Sequence, residues 1–244
     1  MSLSFDEINK LNSTHRAMPF DKYFGEMILS KNEKKNRITL ADKLEYAFLD
    51  FFAFVVTLYE YGKIDSYSIG QKLLDGYKNV LISEGIEQDE TVIAYMDRFA
   101  KQFASSTLMH ANVVNVDLSD YEALDNKVTE GFDEGSSNAN KADLQADAWY
   151  LSQDRARFAA ENESQLIYNY DQWRRAKASG YTQKKWCTIV DKVTRNSHIE
   201  ANGQIAPIDE YFIIGGSLMR FPKDDTLGAG PDEIINCRCT VEYM

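Results

Sequence analysis

Cysteine is scarce in this chain, with three among 244 residues, and so are histidine, also three, and proline, four. That excludes a small disulfide-stapled fold, and a chain of this length buries an adequate core without staples. Long apolar runs are lacking too. The longest, Ala47 to Leu58, is interrupted by Asp50 and is too short and too polar to span a bilayer. The opening MSLSFDEINK has no basic segment followed by an apolar stretch, so no signal peptide is expected. There is no basic excess either. The formal net charge is −11, which argues against a general nucleic-acid binder, since such proteins neutralise phosphates with Lys and Arg. These absences predict a protein of a reducing cytoplasm whose cysteines are free thiols or ligands. The chain also contains no P-loop, dinucleotide glycine fingerprint, His-Glu-x-x-His, nucleophile elbow, EF-hand loop, heptad tract or internal repeat.

What is present is ordinary in bulk, 44% hydrophobic and 27% charged, as in a folded globular protein. The charge is uneven. Residues 1–150 hold 15 basic against 25 acidic side chains, and residues 151–244 hold 12 against 13, so the C-terminal part is near neutral and can touch nucleic acid locally. The pattern predicts an α+β protein: an N-terminal helical bundle, a long helix, and a small C-terminal α+β module with short strands. A helix is expected from Ser4 to Leu29, interrupted near Pro19, with a polar turn at Asn32 to Asn36. Thr39 is then expected to cap a central helix that stops at Gly62. Further helices are expected at Ser66 to Ser83 and Asp89 to Ala111. From Asn115 to Asp147 the composition turns acidic and small, and GFDEGSSNANKAD has no apolar period. The expected organisation is a helical domain at 1–130, an acidic and polar linker or loop at 131–142, and a module at 143–244. That module opens with a helix from about Asp143 to Ala178, closed at Gly180. Short strands and loops follow, and the last is the alternating Thr240 to Tyr243 after the loop Asn236, Cys237, Arg238, Cys239.

Residues able to carry chemistry gather in the C-terminal stretch. Cys187, His198, Cys237 and Cys239 are ligand types that zinc prefers, although one residue between Cys237 and Cys239 is closer than the usual ligand spacing. The alternative for these four is buried thiols with a hydrogen-bonded histidine. A hydrolytic reading has Asp191 orient His198, which activates water or a nucleophile near Cys237 or Cys239. A structural reading joins Asp191, Arg195 and Arg238 in a polar network, completed by His198 and Asn236. Arg174, Arg175, Lys177, Lys184 and Lys185 lie between two tryptophans and form a candidate nucleic-acid contact. They can equally be the basic end of a helix, suited to its dipole.

Taken in order, these features resemble the phage Mu F-like family of head morphogenesis proteins, also called minor head or minor capsid proteins. The likeness is carried by "RARFAAENESQLIYNYDQWRRAKASGYTQKKWCTIVDKVTRNSHIEANGQIAPIDEYF", then "FPKDD" and "NCRC". The matching positions are Glu163 on the helix, Gly180, Lys184, Trp186, Asp191, Thr194, Arg195, His198, Gly203 and Phe212. Asn236, Cys237, Arg238 and Cys239 close the signature. Two positions depart from it: the usual Ala-Arg-Thr-Glu on the helix is here Ala160, Glu161, Asn162, Glu163, lacking the arginine, and the proline-aspartate is spread over Pro222, Lys223 and Asp224. The resemblance implies a virion protein assembled in the bacterial host cytoplasm and held in the procapsid interior or at the portal vertex. The partners implied are portal or major capsid protein, with packaged DNA as a further contact and no membrane. The implied work is head morphogenesis extending to DNA packaging or ejection. It implies no catalytic residues, no enzymatic activity and no cofactor, zinc on the Cys/His set being the exception to test. The competing expectations are a toxin-like effector or hydrolase or transferase, and a zinc-stabilised nucleic-acid adaptor.

Overall fold

A computed structural model describes residues 20–60, 66–111 and 149–244. The expected helix before Pro19 and the linker at 131–142 lie outside the described residues. Within them are seven helices and five short strands, so the chain is α+β. In order they are α1 (Phe20–Gly25), α2 (Lys31–Glu60), α3 (Ser66–Ser83), α4 (Glu90–Ala111), α5 (Gln153–Ala178), β1 (Gln183–Cys187), α6 (Asn196–Ala201), β2 (Ile205–Pro207), β3 (Phe212–Ile214), β4 (Ser217–Met219), α7 (Pro231–Ile234) and β5 (Thr240–Tyr243). Among the described residues no helix is long and apolar enough to cross a membrane. Two compact units emerge: residues 20–43 with Ala159–Met244, and Leu44–Phe158.

The start of α2 differs from the sequence expectation. Thr39 is not a cap; it lies inside the helix, and its hydroxyl donates back to the carbonyl of Lys35 at 3.0 Å. The stretch Asn32 to Asn36, expected to be a turn, is helical. The cap is Ser30: its Oγ accepts the Glu33 N–H at 3.3 Å, and the Glu33 carboxylate accepts the Ser30 N–H at 2.9 Å. This reciprocal pair satisfies two backbone donors that a helix start leaves bare. Helices α3 and α4 follow their sequence signals, whereas α1 ends at Gly25 short of Leu29, α5 starts at Gln153 and not about Asp143, and the short α6 and α7 fall where strands and loops were expected. Asp89 caps α4 by accepting the Val92 N–H at 3.0 Å. At the end of α5, Tyr181 N–H reaches Ala176 O and Gly180 N–H reaches Lys177 O, each at 3.1 Å. Gly180 has φ +82°, the left-handed conformation this termination requires and glycine adopts without strain.

The unit Leu44–Phe158 is built on rings. Phe48, Phe51 and Phe52 of α2, Tyr77 of α3 and Phe99 and Phe103 of α4 form one aromatic cluster, with Phe52 and Phe103 stacked at 5.7 Å. Buried Arg155 lies over Phe103 at 3.9 Å and donates to Thr107 Oγ1 and Ser106 Oγ, both at 2.7 Å, and to Tyr150 O at 2.5 Å. Burial lowers its pKa to about 9, and the neutral acceptors and ring faces take the place of a counter-ion.

The other unit carries the small sheets. β1 is the central strand of an antiparallel sheet ordered β2-β1-β5, and β3 pairs with β4 in a hairpin. The register sets Trp186 opposite Val241 and Cys187 opposite Thr240. Strand alternation buries Lys184 and Trp186 on one face. Around Trp186 the core gathers Ala201, Phe212, Ile214, Met219, Cys237 and Cys239.

Ser30→Ala is expected to cost about 1 kcal/mol, whereas Thr39→Ala is expected to change stability by less than about 0.6 kcal/mol, since a back-bonding hydroxyl adds little inside a helix. Urea unfolding of both variants checks the order, and an inverted order would return the cap to Thr39.

Candidate functional site

The site forms where four short pieces of the C-terminal region meet: the end of β1, α6, α7, and the loop between α7 and β5. Trp186 packs against its histidine, and Lys184 anchors the same strand face. The Lys184 ammonium donates to Glu210 O at 2.6 Å and Arg220 O at 2.8 Å and lies over Phe212 at 5.1 Å. Burial lowers its pKa to about 8. The Trp186 ring meets His198 edge-on at 5.9 Å and Phe212 at 5.2 Å, which fixes the imidazole plane.

The Asn-Cys-Arg-Cys loop is held atom by atom. Asn236 takes φ +57°, an angle asparagine tolerates better than most side chains. Its N–H donates to Asn162 Oδ1 at 3.1 Å. Cys237 O accepts the Tyr23 hydroxyl at 3.2 Å, and Cys239 O accepts Gln165 Nε2 at 3.0 Å. Arg195 donates to Ile235 O. The extended backbone then turns Arg238 away from its two neighbours. The guanidinium reaches Glu26 at 2.7 Å and Asp191 at 2.6 Å, while both sulfurs turn inward to His198. The Nδ1 of His198 is 3.2 Å from Cys239 Sγ and 3.6 Å from Cys237 Sγ. Its Nε2 is 2.9 Å from Glu233 Oε2, which also accepts the Ser197 hydroxyl at 2.8 Å. Gly215 leaves room for that carboxylate, since a Cβ there would sit 2.0 Å from Glu233 Oε1.

Electrostatics divide the two thiols. Burial alone pushes Cys237 up, but hydrogen bonds from Cys239 and His198 outweigh it and hold the thiol well below its ordinary range. Cys239 is pushed up, first by its hydrogen bond to Cys237 and then by burial. Burial pulls His198 down, and its hydrogen bond with Cys237 more than reverses that, leaving it raised. These shifts favour negative charge on Cys237 over Cys239 and positive charge on His198. His198, Cys237 and Cys239 each offer a ligand atom, all within 4.8 Å of one another, a set able to hold a metal ion.

Of the residues singled out in the sequence, the structure brings His198, Cys237 and Cys239 together and leaves Cys187 out. Cys187 follows Trp186 on the strand, so it points to the opposite face, with Sγ 3.7 Å from Lys185 O. Asp191 does not orient His198. Thr194 Oγ1 and the Val193 N–H hold its Oδ1 at 2.8 and 3.0 Å, and its Oδ2 is taken by Arg238. Glu233 occupies the orienting position instead. Arg195 does not join the Asp191–Arg238 pair but supports the backbone at Ile235. Glu163 lies buried on α5. The five basic residues separate. Lys184 is buried, Arg174 and Arg175 share Asp171 at 3.0 and 2.6 Å, Lys177 pairs with Asp209, and Lys185 pairs with Glu242 at 2.9 Å. Glu233, Glu26 and Gln165 escaped the sequence reading, and Asn162 entered it only within the departure from the family signature. Pro231, suited to the first turn of a helix, was a readable sign of the short helix that carries Glu233.

Arg238→Ala is expected to destabilise the unit that contains it by about 2 kcal/mol, with Lys at 238 restoring less than half, because an ammonium cannot fork across two carboxylates. Chemical denaturation checks this, and an unchanged midpoint would sink it. Lys184 supplies a pH test. Its proton is lost on folding between about 8 and the ordinary 10.5, so the unfolded chain binds more protons there and stability rises with pH across that window. Lys184→Met is expected to flatten the rise in urea midpoints, and parallel profiles for the two proteins would overturn it.

Residues 122–242 match the family described as Phage Mu protein F like protein. The chain is also similar to an NAD(+)--arginine ADP-ribosyltransferase EFV of Enterococcus faecalis, 30% identical over 119 residues, which is 47% of this chain and 24% of that protein. This chain thus spans about a quarter of the length of the curated relative it matches. No solved structure matches it. The Trp186, His198 and Asn-Cys-Arg-Cys elements that build the site all fall within the matched stretch, and through residues 122–242 the chain belongs to the phage Mu protein F like family, a family of phage head proteins.

Proposed function

We propose that this protein is a minor head protein at the portal vertex of the procapsid, serving head assembly and the packaging or delivery of DNA through contacts with portal or major capsid protein. The match of residues 122–242 to a phage head family carries the reading. Charge favours a protein partner over DNA. The net charge of −11 repels phosphates, and Arg174, Arg175, Lys177 and Lys185 already face carboxylates of this chain. An apolar contact surface is present on the β3–β4 hairpin, where Ile213 and Leu218 stand opposite one another, 60% and 42% exposed. Two adjacent aliphatic side chains on a solvent-facing hairpin suit an interface core.

Group transfer is the competing reading, given the name of the Enterococcus protein. The cleft over Cys237 and His198 measures about 20 Å³, room for a water molecule or one ion. Organic ligands fill cavities of about 300–1,000 Å³, so among the described residues this cluster favours assembly over nucleotide chemistry.

Mixing the purified protein with isolated portal rings or procapsids and sedimenting the mixture tests the proposal. Co-sedimentation is expected, with Ile213→Asp and Leu218→Asp together reducing it at least about tenfold. Failure to sediment with either particle, together with transfer of ADP-ribose from NAD to arginine, would replace assembly with the transferase reading.

A further inference from the structure

We infer that Cys237, Cys239 and His198 form a three-ligand site for a thiophilic divalent ion of the zinc class, with Glu233 orienting the imidazole and the fourth position open to water from the adjoining cleft. This is independent of the head-assembly reading.

The geometry carries it. Zinc binds thiolate at about 2.3 Å and imidazole at about 2.0–2.1 Å, so the sulfur–nitrogen edges of a tetrahedral site are about 3.6 Å. The observed edges are 3.2 and 3.6 Å, and all three ligand atoms fall within 4.8 Å of one another. The spacing of one residue, too tight for two ligands on a helix, works here because the loop is extended. Cys237 and Cys239 then share one face while Arg238 takes the other.

The surroundings are those of a metal-bound histidine. A ligating imidazole usually gives its second nitrogen to a carboxylate, and His198 Nε2 meets Glu233 at 2.9 Å. On binding, the imidazole keeps its Nε2 proton toward that carboxylate and gives up any proton on Nδ1, which turns its lone pair to the ion. Ser197 anchors the same carboxylate oxygen, and Gly215 provides the space it occupies. The ligand backbone is also fixed, by Tyr23 at Cys237 O and Gln165 at Cys239 O. The cleft lined by Thr194, Arg195, His198, Asn236, Cys237 and Cys239 holds one water-sized object, which suits an exogenous fourth ligand. Binding replaces the thiol protons with the ion; no oxidant or reductant is involved, and the released protons go to solvent.

One ion would tie the loop after α7 to α6 and to the Glu233 helix, three pieces too short to hold one another by apolar burial alone.

The test uses the full chain purified with zinc in the growth medium. Elemental analysis is expected to give about one equivalent, and cobalt(II) titration of the stripped protein is expected to give thiolate-to-metal charge-transfer absorption with tetrahedral d–d bands. Cys187→Ser is expected to keep the full equivalent, while Cys237→Ser, Cys239→Ser and His198→Gln lose it. Because those variants can fail to fold, Glu233→Gln supplies a second measure: it retains the ion with affinity lowered about 10- to 100-fold. A wild-type protein that takes up neither zinc nor cobalt overturns the proposal, leaving a hydrogen-bonded thiol cluster. So does a cobalt spectrum without charge-transfer bands, or one that survives Cys237→Ser and Cys239→Ser in folded protein.

Discussion

Asn162, Gln165, Asn169 and Gln172 recur at helical spacing along α5, and the loops of the C-terminal region depend on this amide stripe. Asn162 accepts from the Asn236 N–H and from Lys223 Nζ. Gln165 gives its amide N–H to Cys239 O, and Asn169 gives its own to Pro222 O at 2.9 Å. The acceptor oxygens of Gln165, Asn169 and Gln172 turn to Arg37 of α2 at 2.5, 3.2 and 2.8 Å. A region with strands of three to five residues pairs few of its own backbone groups in ladders. Each buried carbonyl or N–H left over costs about 1–3 kcal/mol unless another group meets it. The helix supplies those groups from one rigid rod, so a loop-rich fold acquires a definite shape without long sheets.

That arrangement bears on the departures from the family signature. Glu161 and Asn162 belong to the helix stretch that lacks the usual arginine, and the Asn162 side-chain oxygen serves two donors at once, one a backbone N–H and one an ammonium. Lys223, inserted between Pro222 and Asp224, is fully buried with φ +72° and its pKa lowered to about 8 by burial. The amide at 162 and the cation at 223 touch one another, and the Glu161 carboxylate favours the charged form of that lysine, so the two departures lie side by side. Asp224 keeps a separate task. Its carboxylate receives Arg220 at 2.8 Å and the Arg220 N–H at 3.0 Å, closing the turn whose carbonyl holds Lys184 in place.

The elements legible in the sequence were those written in local chemistry. The helices at Ser66–Ser83 and Glu90–Ala111 follow apolar spacing, Gly180 ends α5 in the way a left-handed residue must, and Thr240–Tyr243 alternates as a strand. Thr39 misled because it is a good cap residue just ahead of an apolar run, while the operative cap lay in Ser30 and Glu33 among lysines and asparagines with no apolar period to flag them. At the site, the residue types were visible but their pairings were not. Cys187 shares ligand chemistry with Cys237 and Cys239, yet it sits next to Trp186 on a strand, and a buried tryptophan commits its neighbour to the other face. Asp191 and Glu233 are both acidic, and only tertiary placement decides which one the imidazole meets, since Glu233 is 35 residues from His198 in sequence. Asp191 lies nearer in sequence, but Thr194 and Arg238 hold it elsewhere.

The double duty of the Asn-Cys-Arg-Cys loop follows from strand parity. On an extended backbone alternate residues face opposite ways, so one short segment can give sulfurs to the interior and a guanidinium to the periphery without a further turn. Arg238 ties that segment outward to Glu26, just after α1, and to Asp191, just after β1; Cys237 and Cys239 tie it inward to α6 and, through His198, to Glu233 on α7. Four separate pieces of chain are therefore tied together through three residues of this loop, α7 by way of His198. Each inward contact positions the arginine and each outward contact positions the sulfurs, so the two sets are energetically coupled through a backbone with little freedom to adjust. A residue type changed on one face is felt on the other.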